Sequence, residues 1–74
     1  MSEYGAVLFH TTSSALRAER VLQRAGLTVK LIPTPREFSS DCGMALRFPW
    51  TLAEEVATTL AAARVEVDGI RQMK

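Results

Sequence analysis

The 74 residues, 47% hydrophobic and 23% charged, suffice for one small globular domain and are too few for two. Nine Lys and Arg against eight Asp and Glu leave a net charge of +1, which gives no reason to expect nucleic acid or an anionic membrane as the main partner. A single cysteine excludes an internal disulfide and a cysteine-rich zinc site, and no apolar run approaches the roughly 20 residues that cross a bilayer.

Met1-Ser2-Glu3-Tyr4 lacks the basic start and apolar run of a secretory signal. A cytoplasmic protein in a reducing compartment is the expectation. With no disulfide, stability comes from the core, and self-association as a homodimer is open to so small a domain.

Ala6-Val7-Leu8-Phe9-His10 is a continuous apolar run and reads as a central strand buried on both faces. Thr11-Thr12-Ser13-Ser14 follows, a set of hydroxyls suited to accept from free N–H groups at a helix start. The helix is predicted near 13–25. Ala18, Val21, Leu22 and Ala25 lie on its apolar face, and Arg17, Arg20 and Arg24 on a solvated one. Gly26 supplies the left-handed stop.

Thr28-Val29-Lys30-Leu31-Ile32 alternates as a second strand, ended by Pro33-Thr34-Pro35. Residues 36–43 read as a loop. Met44-Ala45-Leu46-Arg47-Phe48 is the third strand, closed by Pro49. Thr51-Leu52-Ala53-Glu54 matches a capping box and predicts a second helix over 52–64, with Leu52, Val56, Leu60 and Ala63 as its apolar stripe. Val65-Glu66-Val67-Asp68-Gly69-Ile70 reads as a weaker last strand, with a bend at Gly69.

Strand-helix-strand-strand-helix-strand predicts an α+β, ferredoxin-like βαββαβ split. Its antiparallel sheet runs in the order 4-1-3-2, with both helices on one face and the other face open to solvent or used for dimerisation.

In this topology the first helix starts at the sheet end where the 36–43 loop lies. That loop holds Cys42, in Ser39-Ser40-Asp41-Cys42-Gly43. Two readings stand: a reactive thiol in a loop, or a buried, inert one. The helix start and Arg36 favour a thiolate, and Asp41 opposes it. His10, at the same end, is a candidate base or a structural histidine. Thr12, Ser13 and Ser14 are candidate anion-binding groups or simple caps. Trp50 reads as packing at the opposite end. Neither a glycine-rich phosphate loop nor a CxxC motif is present. Base stacking on the sheet would need Phe9 and Phe48 to face outward, and the aromatic signature of RNA-binding sheets is absent, so no nucleic acid partner is expected.

Val7-Leu8-Phe9, the run Thr12 to Glu19, Leu31-Ile32-Pro33-Thr34-Pro35-Arg36 and Ser39-Ser40-Asp41-Cys42-Gly43-Met44-Ala45-Leu46-Arg47 together resemble the selenium/sulfur (Se/S) carrier-like proteins, small bacterial domains. The similarity covers residues 6–70. It implies a carrier rather than an enzyme, with sulfur or selenium held on Cys42 as a persulfide or selenopersulfide. Arg36, Ser39, Ser40, Gly43 and Arg47 become positions of interest. The implied partners are donor and acceptor enzymes of sulfur or selenium transfer, for example a cysteine desulfurase, with no cofactor. The alternative is a small anion-binding or interaction module without covalent chemistry, using Arg36, Arg47 and the helix start. A third reading leaves Cys42 inert in a structural partner domain.

Overall fold

A computed structural model describes residues 3–38 and 43–73. The strands are β1 (Tyr4–Leu8), β2 (Lys30–Pro33), β3 (Met44–Pro49) and β4 (Gly69–Gln72). The helices are α1 (Thr12–Arg24) and α2 (Ala53–Ala62), the latter preceded by a 3-10 turn at Trp50–Leu52. The sheet order is β2-β3-β1-β4, all neighbours antiparallel. This is the ferredoxin-like α+β arrangement, with β1 and β3 in the centre.

β1 is central because both of its faces are apolar. Val7 and Phe9 join Ala15, Ala18, Leu22, Leu46, Phe48, Val56, Leu60 and Val65 in the core between sheet and helices. Each large apolar side chain fully buried there contributes roughly 1.5–3 kcal/mol. Ala6 and Leu8 face the other way and pack with Ala45. That outer face is not simply open, as expected from the topology. Ile32 of β2 and Phe38 pack against this cluster, and so does Met73, whose N–H donates to the Tyr4 carbonyl at the other end of β1.

α1 ends as Gly26 dictates. Its φ is +80°, Gly26 N–H donates to the Gln23 carbonyl, and Leu27 N–H donates to that of Leu22. Ala25 caps the helix and is exposed rather than on its apolar face. Arg17 is more than a solvated charge: its Nη2 donates to the Ala63 carbonyl at 3.1 Å and ties α1 to the end of α2.

α2 departs from expectation at its start. The capping box does not form. The 3-10 turn shifts the first helical residue to Ala53, Leu52 occupies the cap position, and no side chain bonds there. Its stripe is as expected, with Val56 and Leu60 buried.

The last strand also differs. Val65 and Val67 pack into the core from the connecting segment, and β4 begins at Gly69. Asp68 N–H donates to the Leu8 carbonyl at 2.7 Å and opens the pairing with β1. Trp50 packs at the start of β1, its ring stacked 6.0 Å from Phe48.

Candidate functional site

The C-terminal end of β1 gathers the chain segments of interest. Leu8 pairs with Ala45 on one side and with Gly69 on the other. The start of β3, the start of β4 and the start of α1 therefore meet at this end of the sheet. β2 ends here as well, since Pro33 pairs with Met44. Thr34 N–H donates to the Gly43 carbonyl at 3.0 Å, one step beyond that pair. The residues flanking segment 35–42 are thus bonded to each other beside the helix start.

Pro35 opens a tight turn, in which Phe38 N–H donates to its carbonyl at 3.0 Å. Arg36 and Glu37 occupy the tip and are exposed. Ser39, Ser40 and Cys42, with Asp41, lie outside the described residues.

At the helix start the capping residue is Thr11. Its Oγ1 accepts from Ser14 N–H at 3.2 Å, and its hydroxyl donates to Ser14 Oγ at 3.1 Å. Thr12 and Ser13 lie in the first turn and are exposed. A helix start carries roughly half a positive charge, so this corner of the sheet has an electropositive element without any charged side chain.

His10 is exposed at the same end, with Nε2 3.7 Å from Asp68 Oδ1. Sequence reasoning named His10 but not its partner. The pairing depends on where the chain enters β4, and that point was placed too early. A shallow cavity of about 230 Å³ opens nearby, lined by Leu8, Glu37, Phe38, Asp68 and Arg71.

Arg47 does not join this cluster. It stands on the outer face of β3, four residues along the chain from Gly43, or roughly 13 Å of extended strand. Its guanidinium lies 4.5 Å from the centre of the Tyr4 ring. Phe9 and Phe48 are fully buried and present no ring to solvent. Among the described residues, no three His, Cys, Asp or Glu side chains come together to hold a metal ion, and no helix is long and apolar enough to cross a membrane.

The described end of the sheet thus combines a helix start, an exposed arginine and a His–Asp pair around the two residues that flank the cysteine segment. Comparison with known sequences agrees with the resemblance noted above. The family model described as "Putative Se/S carrier protein-like" matches residues 4–72. No curated protein and no solved structure matches the chain. The family match spans all four strands and both helices, and on that ground the chain belongs to the Se/S carrier protein-like family.

Proposed function

We propose that this protein carries a sulfur or selenium atom on Cys42, as a persulfide or selenopersulfide, between a donor and an acceptor enzyme. The observation that carries the reading is the anchoring of the flanking residues. Thr34 and Gly43 are hydrogen-bonded to each other at the sheet end where α1 begins. The family match supports the nature of the cargo.

The loading step needs no oxidant. The Cys42 thiolate attacks the outer sulfur of a persulfide on the donor enzyme. The donor's S–S bond breaks, its cysteine leaves as a thiolate, and the sulfane sulfur stays bonded to Cys42. Delivery is the same exchange in reverse, with the acceptor's nucleophile taking the outer atom. Arg36 and the positive end of α1 favour the thiolate that starts the attack, and Asp41 opposes it. The roles we assign to Ser39, Ser40, Thr12, Ser13 and the Gly43 backbone are hydrogen bonds to the terminal sulfur or selenium anion. Ser14 is committed to the Thr11 cap. His10, paired with Asp68, is the group we assign to proton exchange with the persulfide.

The test is incubation of the full chain with a cysteine desulfurase and cysteine, followed by intact-mass measurement. Wild type gains one sulfur that a reductant removes, and Cys42→Ser gains none. A gain that persists in Cys42→Ser, or no gain on wild type with an active desulfurase, overturns the proposal.

A further inference from the structure

The four strands hold three charged side chains, Lys30, Arg47 and Arg71, and all three are cations. The register puts their backbone positions in one line, with the Arg71 guanidinium reaching back over Gly69. Lys30 stands opposite Arg47, Arg47 opposite Ala6, and Ala6 opposite Arg71. The row therefore crosses the whole sheet, over three inter-strand steps of about 4.8 Å each.

All three point to the outer face. Arg47 lies between Leu46 and Phe48, which belong to the core beneath the helices, and Lys30 lies between Val29 and Leu31, which pack against that core. Arg71 follows Ile70, which packs there too. Ala6, the small residue in the middle of the row, belongs to the outer cluster.

This row is unexpected in a chain of net charge +1. Like charges directly opposite each other on adjacent strands are destabilising, and Lys30 and Arg47 are such a pair. No strand contributes an acidic side chain to offset them, and the carboxylates that come near belong to connecting segments: Glu37 and Asp68, which line a cavity with Arg71 at one end of the row. An anion laid across the row removes that repulsion. Beside the row, on the same face, is Tyr4, 41% exposed, with the Arg47 guanidinium over its ring.

We propose that this face binds single-stranded nucleic acid, with phosphates along Lys30, Arg47 and Arg71 and a base against Tyr4. A line of cations next to an exposed aromatic ring is the chemistry that holds single strands without sequence preference. A four-stranded sheet offers a flat platform for it. The row runs across the strands, whereas a peptide joining this sheet by backbone hydrogen bonds would lie along an edge strand. The proposal is independent of Cys42 chemistry and replaces the expectation of no nucleic acid partner, which weighed only net charge and the missing aromatic signature.

The test is fluorescence anisotropy of a labelled oligouridylate with the full chain. Three phosphate contacts at a single-strand slope of roughly 0.7 each give a log–log salt slope near −2, or about 20-fold weaker binding at 200 mM than at 50 mM salt. Lys30→Gln, Arg47→Gln and Arg71→Gln each flatten the slope by about 0.7. Tyr4→Ala weakens binding at least about 5-fold, the lower end of the loss of one base stack, and leaves the slope unchanged. Circular dichroism checks that each variant folds. Absence of binding at 50 mM salt overturns the proposal. So does equal binding of an oligoglutamate of the same charge that Tyr4→Ala leaves intact, which would assign the face to an acidic protein segment.

Discussion

The indole of Trp50 fills the space over Gly5. A Cβ placed on Gly5 would lie 2.5 Å from Trp50 Cε3 and 2.7 Å from Phe48 Cζ, closer than carbon atoms pack. The two rings are themselves stacked, so neither moves without the other. The end of the sheet opposite the Cys42 segment is closed by this contact. Gly5→Ala is therefore expected to destabilise by at least about 1–3 kcal/mol, the usual cost of overpacking. Urea unfolding measures it, and an unchanged midpoint would contradict the packing described.

Arg64 ends α2 in the left-handed region with φ +56°. Its N–H donates to the Ala61 carbonyl and that of Val65 to the Leu60 carbonyl, as Gly26 and Leu27 do at the end of α1. A side chain in this conformation costs roughly 1–2 kcal/mol, part of which glycine returns through the freedom of its unfolded chain. Arg64→Gly is expected to stabilise by up to about 1 kcal/mol and raise the melting temperature by several degrees. A lower melting temperature would contradict this.

These two helix ends show what was legible in the sequence. Gly26 announced the first stop. Nothing announced the second, because arginine has no preference for that conformation. The valines beyond it then looked like a strand, although Val65 and Val67 fill the core from a connecting segment. Thr51 and Glu54 had the right spacing for a capping box, but the 3-10 turn after Pro49 moved the helix start past it. The apolar run at Ala6–Phe9 was decisive, since burial on both faces leaves no choice but the centre of the sheet, and the order of the elements placed Met44–Phe48 beside it. The loop flanks were legible for the same reason, through topology. The His10–Asp68 pair and the cation row were not. Each needs a register between strands distant in sequence, and each residue alone reads as a solvated charge.

Thr11 caps α1, its Oγ1 accepting from Ser14 N–H. Thr11→Ala should cost about 1 kcal/mol, typical for losing a cap. Thermal unfolding checks this, and Thr11→Ser should retain most of the stability. Equal losses for both substitutions would show that the hydroxyl is not what matters.

Phe38 leaves the turn at Pro35–Phe38 and lies against Ala6, Leu8 and Ala45 on the outer face. It is half-buried, whereas Phe48 is fully buried. Phe38→Ala should cost about 1–2 kcal/mol, and Phe48→Ala the roughly 3–5 kcal/mol usual for a core phenylalanine. Equal costs in denaturant unfolding would mean that the outer cluster is as essential as the core.

The most direct test of the carrier reading is the intact mass of the protein purified from cells without reductant. The account predicts a fraction heavier by one sulfur or one selenium atom. Treatment with dithiothreitol removes the added mass, and Cys42→Ser, which should fold normally, never acquires it. A single unmodified mass in wild type, isolated from cells with an active cysteine desulfurase and supplied with selenium, would contradict it.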